Sequence, residues 1–279
     1  MDNRRSLMVV HAHPDDEVFS TGGILAKYAA AGDRVVVVYA TRGEEGELYD
    51  ESLSPDEAMP RLGEIREREA REACRRLGVE EVHFLGYRDS GMAGWDQNQR
   101  PDVFANASLD EASERLLAIM RETRPQVVIT YDEEGGYGHP DHIMTHRVTA
   151  EAFQRAQGEP DGPQKLYYGA RSREQFRRQL ETGHRPAWLR DDFDIEQYGL
   201  PDDEITAFID ISRQAPLKKA ALAVHRTQIK PDFYYLSIPD EEMRRNLGVE
   251  FFRRVVPPHQ PGERETDLFA GTDGAAEAA

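Results

Sequence analysis

The chain of 279 residues is 39% hydrophobic and 31% charged, which excludes extensive disorder and leaves enough apolar material for a sizeable core. Its formal net charge of -17 argues against nucleic acid or an anionic membrane as a partner, because either would need a concentrated basic face. A lone cysteine, Cys74, rules out an intramolecular disulfide, and the apolar run in MDNRRSLMVV is too short for a signal peptide or a membrane span, so a cytoplasmic protein is expected.

Strands and helices alternate along the first half. Leu7 to Val10 is a continuous apolar run suited to a buried parallel strand. Between Gly22 and Ala31 the residues Ile24, Leu25, Tyr28 and Ala29 repeat at helical spacing, and Gly32-Asp33 stops the helix. Val35 to Tyr39 forms a second buried strand. A polar loop from Arg42 to Pro60 leads into an Arg/Glu-rich helix over Leu62 to Leu77, in which Cys74 reads as an incidental residue, and Val82 to Leu85 is the third strand. A loop carrying Asp89-Ser90-Gly91-Met92-Ala93-Gly94-Trp95 precedes a helix over Leu109 to Arg121, and Gln126 to Tyr131 is the fourth strand. This alternation predicts an α/β, doubly wound, Rossmann-like and mostly parallel sheet of strand order 3-2-1-4-5, with a C-terminal extension. Further on, Lys165 to Gly169 and Ile205 to Ile211 read as strands, Pro216 to Gln228 as a helix containing His225, and Arg171 to Pro201 as a surface excursion or lid. One catalytic domain over 1–270 is expected, with a core over 1–170, a substrate-shaping part over 171–270, and a disordered tail over 271–279.

Two segments are dense in metal-binding groups. His11-Ala12-His13-Pro14-Asp15-Asp16-Glu17 follows the first strand, and His139-Pro140-Asp141-His142 follows the fourth after the loop Asp132 to Gly138. Alone, either would more commonly be surface or helix-capping residues. In the predicted order strands one and four are neighbours whose following loops leave in opposite directions, so both segments open onto one crevice. A catalytic zinc takes three protein ligands and keeps an open position, and His13, Asp16 and His142 can converge as that set, with iron(II) an alternative ion. Asp15 cannot address the same point as adjacent Asp16 and becomes the general base of a metal-assisted hydrolysis. His139, as imidazolium, is available to stabilise an oxyanion or protonate a leaving amine; Asp141 would orient it, and Tyr137 on its glycine run could swing in as a further donor. His11 belongs to the packed strand end and is left out of the ligands.

These segments resemble the LmbE/PIG-L-type zinc N-deacetylase superfamily, and more closely its mycothiol branch, which contains the deacetylase of N-acetylglucosaminyl-inositol and the mycothiol S-conjugate amidase. Supporting stretches are Gly43-Glu44-Glu45-Gly46-Glu47, Arg88 to Met92, Gly135 to His142, Lys165 to Tyr168 and His225-Arg226-Thr227-Gln228. The resemblance implies zinc on His13, Asp16 and His142, Asp15 as base, His139 paired with Asp141, a mobile Tyr137, and substrate contacts by Glu47, Arg66 and Asp89. From the residues alone, Arg66 reads as part of a solvated helix face. The expected function is therefore zinc-dependent amide hydrolysis on a small glucosamine-containing molecule, an N-deacetylase such as one for N-acetylglucosaminyl-inositol. The alternatives are a mycothiol S-conjugate amidase and, from another class, a non-catalytic sugar- or metal-binding protein.

Overall fold

Each strand of the predicted parallel set forms because its side chains alternate between two apolar layers. In β1 (Ser6–His11), Leu7 and Val9 enter one core cluster while Met8 and Val10 enter the other, so the run reads as continuously apolar. A computed structural model describes residues 4–181, 195–197, 199–259 and 262–272. Among these, β1 pairs in parallel with β2 (Arg34–Thr41) and β4 (Val127–Thr130), β2 with β3 (Glu81–Tyr87), and β4 with β5 (Lys165–Ala170). The order 3-2-1-4-5 holds and continues through two antiparallel strands, β6 (Ala207–Asp210) and β7 (Val249–Val256), as 3-2-1-4-5-7-6.

Helices α1 (Asp16–Ala30) and α3 (Leu62–Arg76) cover one face, reached through the short α2 (Pro55–Ala58). On the other face lie α4 (Leu109–Thr123) and, after the single turn α5 (Gly135–Gly138), α6 (Pro140–Ala156). The chain continues with α7 (Arg173–Glu181), α8 (Ala215–Leu222), α9 (Tyr234–Ser237) and α10 (Asp240–Leu247), of which α8 packs on α1 and α3. No helix among the described residues is long and apolar enough to cross a membrane.

Several local expectations are corrected. Helix α1 begins at Asp16 rather than Gly22, and the apolar repeat restarts near Gly23 for a physical reason. The buried Glu250 carboxylate of β7 accepts the Gly23 and Ile24 N–H groups, each at 2.8 Å, and Lys218 donates to the Phe19 carbonyl at 2.9 Å. A Cβ at Gly23 would stand 2.6 Å from Ile211, so this crossing requires glycine. Strand β7 escaped prediction because Arg253 and Arg254 break its apolar pattern; Arg254 is buried on Glu265 and Glu263, at 2.6 and 2.7 Å. The expected helix over Pro216 to Gln228 ends at Leu222, which leaves His225 on a following turn. Cys74 is a core residue rather than an incidental one, its Sγ 3.6 Å from the Tyr39 hydroxyl. Residues 182–194 and 198 of the expected lid and 273–279 of the expected tail lie outside the described residues.

Candidate active site

Leaving β1, the chain turns through Ala12 to Asp15 into α1, and this turn is strained. Asp15 has φ 106° and ψ -32°, a conformation that costs a non-glycine residue about 1–3 kcal/mol. Its neighbours hold it there. The Asp15 N–H donates to Glu17 Oε2 at 2.8 Å, and the His13 N–H to Asp16 Oδ2 at 2.9 Å. Arg66, 4% exposed, donates to the carbonyls of Pro14 and Gly43, both at 2.7 Å. A Cβ at Gly43 or Gly46 would stand 2.1 or 2.5 Å from Arg66 Nη1, so both glycines of the Gly43-to-Glu47 stretch make room for this side chain. Asp15 occupies the N-cap of α1, yet its carboxylate makes no capping bond. It lies 3.4 Å from Arg66 Nη2, and burial, working against the pull of Arg66, pushes its pKa up to about 7.

The second loop meets this turn from β4. His139 is the N-cap of α6 with Pro140 in the first turn, and the helix start aims His142 inward. His13 Nδ1, Asp16 Oδ2 and His142 Nε2 then form a triangle with sides of 3.3, 3.4 and 3.5 Å. Four tetrahedral bonds of about 2.0–2.1 Å separate their donors by about 3.3–3.4 Å, so this His/Asp/His set is compatible with a metal ion. Each donor is oriented from behind. His13 Nε2 faces Asp141 Oδ2 at 3.2 Å, His142 Nδ1 faces the Gly135 carbonyl at 3.1 Å, and the Tyr131 hydroxyl donates to Asp16 Oδ2 at 2.8 Å. Tyr131 also accepts the Ala12 N–H at 2.8 Å and stacks on His142 at 4.2 Å between centroids.

The electrostatics fit a cation. Burial alone would lower the His13 pKa, but the carboxylates of Asp89, Asp141 and Asp16 raise it well above its usual value. Burial likewise opposes the charges on Asp16 and Asp89, yet the imidazoles of His142 and His13 hold those two carboxyls well below their usual range. A divalent ion on the triangle would take over the charge balance that a His13 proton otherwise supplies.

One role read from the sequence is corrected by this geometry. The Asp141 carboxylate does not orient His139: it accepts from the Ser90 N–H at 3.0 Å and from the Ser90 hydroxyl, and supports His13. His139 instead accepts the Asp141 backbone N–H on Nδ1 at 3.1 Å, which leaves its proton on Nε2. Burial and the flanking His13 and His142 push its pKa down to about 3, and with Nδ1 accepting, Nε2 is the atom left to donate within the His13, His139, His142 cluster.

Of the remaining expected residues, Tyr137 is 54% exposed with its ring 4.8 Å from that of His142. Glu47 is exposed. Asp89 is buried and accepts the Gly91 N–H at 2.8 Å and the Glu45 N–H at 3.2 Å, so it and Arg66 are built into the scaffold around the turn. His11 faces Thr21 at 2.9 Å and stands outside the donor groups. The sequence reading missed Tyr131, Ser90 and Glu17. Tyr131 closes the predicted fourth strand and Ser90 follows Asp89, but nothing in their spacing marks them as supports. Glu17 joins His225 at 2.8 Å with both side chains fully buried.

A doubly wound sheet with a His/Asp/His donor triangle at the carboxyl ends of two adjacent parallel strands, and beside it a half-buried carboxylate that makes no capping bond, defines an α/β enzyme built around a metal centre. The chain belongs to the PIG-L family, described as GlcNAc-PI de-N-acetylase, which matches residues 8–153. It is 41% identical over 293 residues to the 1D-myo-inositol 2-acetamido-2-deoxy-alpha-D-glucopyranoside deacetylase of Thermomonospora curvata, covering 98% of this chain and 99% of that protein. The protein of the same name from Acidothermus cellulolyticus is 44% identical over 284 residues, covering 96% of each. Among solved structures, the N,N'-diacetylchitobiose deacetylase from Pyrococcus horikoshii aligns with a TM-score of 0.59 at 25% identity, covering 95% of this chain and 85% of that one.

Proposed function

We propose that the chain is a cytoplasmic zinc-dependent N-deacetylase that hydrolyses the acetamide of an N-acetylglucosaminyl conjugate, with N-acetylglucosaminyl-inositol as the preferred substrate. One catalytic domain over 1–270 carries the reaction, its 171–270 part shaping the substrate side. The observation that carries the reading is the donor triangle with Asp15 beside it, held in a strained conformation that its capping position does not require. The names of the relatives at 41% and 44% identity supply the choice of sugar.

His13, Asp16 and His142 would hold the ion, which when bound supplies Lewis acidity toward the amide carbonyl and a more acidic water, chemistry that zinc and iron(II) share. Asp15 takes a proton from the attacking water as its oxygen bonds to the amide carbon. His139 donates its Nε2–H to the oxyanion that develops on the former carbonyl oxygen, and Tyr137 turns inward as a second donor. Asp15 then returns the proton to the nitrogen, the C–N bond breaks as the carbonyl re-forms, and acetate and the amine leave, the amine taking up the second proton of the water as an ammonium group. Glu47, with Arg66 and Asp89 behind it, addresses the hydroxyls of the sugar and inositol.

The test is an assay for released amine with the zinc-loaded protein on N-acetylglucosaminyl-inositol, N-acetylglucosaminyl-malate, free N-acetylglucosamine and a mycothiol S-conjugate. Highest kcat/KM on the inositol conjugate is expected. Preference for the S-conjugate would move the protein to the amidase subclass, and turnover of none of the four would overturn the proposal.

A further inference from the structure

Turns that hold a non-glycine residue at positive φ need restraints from outside the turn, and the restraint on Asp15 leads away from the site. The Asp15 N–H is taken by Glu17 Oε2 at 2.8 Å, and the other oxygen of that carboxylate faces His225 Nε2 at 2.8 Å. Both Glu17 and His225 are fully buried, so no solvent competes for either bond.

His225 is itself fixed. Its carbonyl accepts the N–H groups of Gln228 and Ile229 at 3.0 and 2.8 Å. The turn is then tied to the loop before α2 and to α3. Thr227 accepts the Tyr49 N–H on its carbonyl at 2.8 Å and donates its own N–H to Glu69 at 3.0 Å, and Gln228 donates to the Glu47 carbonyl at 2.7 Å. A segment more than two hundred residues downstream therefore braces the back of the catalytic turn.

We infer that His225 is a positioning residue that acts through Glu17: its Nε2–H fixes the Glu17 carboxylate against the Asp15 N–H and so holds the Asp15 carboxylate in its working place. The inference rests on the proposed role of Asp15 as base. It touches neither the substrate nor the donor triangle, so it separates turnover from binding. An Asp15 displaced on loss of the brace would lower kcat while KM and metal content stay near those of the wild type.

The chemistry of the ring gives a discriminating pair. A glutamine amide can place its N–H where Nε2 stands, whereas an asparagine amide reaches only as far as Nδ1. His225→Gln and His225→Asn should be compared with wild type for kcat, KM and zinc per chain, together with crystal structures. Expected are a kcat within about fivefold of wild type for His225→Gln and a loss of about 100-fold for His225→Asn, the scale set by a misplacement near 1 Å. Both should bind one zinc per chain with KM within about threefold of wild type, because neither reaches substrate or ligands. Equal kcat in the two variants, or a loss carried by KM or by zinc content, would overturn the inference. The crystal structures answer separately from activity: in His225→Asn the Asp15 N–H should be released from Glu17 and its φ should relax, whichever amide the wild type hydrolyses. An Asp15 turn unchanged in that variant would also overturn it.

Discussion

Between Ala12 and Asp15 each backbone N–H is held by a side chain, from Tyr131, Asp16 and Glu17 in turn, while the Pro14 carbonyl is held by Arg66. Between Gly135 and Gly138 the chain instead turns on three positive-φ glycines and presents Tyr137 to solvent. Both segments serve one centre. The first carries His13 of the triangle and the Asp15 carboxylate, and delivers the chain to Asp16 at the start of α1; in the proposed reaction these are groups whose placement must be kept. The second carries Tyr137, which in the proposed reaction turns inward on a bound substrate. Only Gly135 of that run is tightly built, since its carbonyl faces His142 and a Cβ there would stand 2.7 Å from His142 Cβ. Close packing therefore ends one residue away, although the Gly136 N–H still donates to Asp132 Oδ1 at 2.7 Å.

The sharpest way to break this comparison is to remove the group the rigid side exists to hold. Asp15→Ala should lower kcat by about 10³-fold or more while zinc content stays at one per chain. Metal analysis beside steady-state kinetics reads both quantities. Wild-type turnover in that variant would sink the reading of Asp15 as base, and loss of zinc would make it a ligand.

Next in size is Tyr131→Phe, which keeps the ring stacked on His142 and deletes the hydroxyl shared by Asp16 and the Ala12 N–H. Zinc affinity, read by competition with a chromogenic chelator, should fall by about 10- to 100-fold. Unchanged affinity would mean that the rigid turn, and not the hydroxyl, orients Asp16.

A smaller effect concerns the pair behind the turn. Burial would lower the His225 pKa, but Glu17 raises it above 6.5, and the Glu17 pKa is held below 4.5 by His225 despite burial. The histidine contribution is fully present below 6.5 and is lost as pH rises through its folded value; the glutamate contribution is present above 4.5 and is lost as pH falls through its folded value. The thermal stability of wild type relative to His225→Gln, after treatment with chelator, should therefore be greatest between pH 4.5 and 6.5 and decline on both sides. A difference that stays flat from well below pH 4.5 to well above pH 6.5 would show that the pair contributes by packing alone.

The contrast between the two segments also separates what was legible in the sequence from what was not. Buried parallel strands announce themselves as apolar runs, so β1, β2 and β4 and the crevice between β1 and β4 could be placed, and with them the convergence of His13, Asp16 and His142. Supports reach the site from other elements through single side chains with no periodicity, and so Tyr131, Ser90 and the Glu17–His225 pair stayed hidden. Arg66 shows the limit most clearly. Within Glu64 to Glu69 it is indistinguishable in sequence from its charged neighbours, and only the folded chain reveals that Gly43 and Gly46 leave it a slot against the turn that carries Asp15.

The mildest test addresses the loose side directly. Gly136 has φ 75°, and nothing lies within 4 Å of a Cβ built on it, so alanine there meets no atom and pays only for its backbone conformation. With ψ -46° this is the γ-turn region and not left-handed α, so the penalty is about 1–3 kcal/mol, at about 2–4 °C of Tm per kcal/mol. Because Gly135 still carries the carbonyl that faces His142, zinc content should not change. If Tyr137 must move inward during turnover, the stiffer Gly136→Ala loop should lower kcat, and the further change Tyr137→Phe should add little to that loss because both act on one donor. Additive losses would place the glycine and the tyrosine in separate steps, and unchanged kcat in both variants would leave His139 alone to meet the oxyanion.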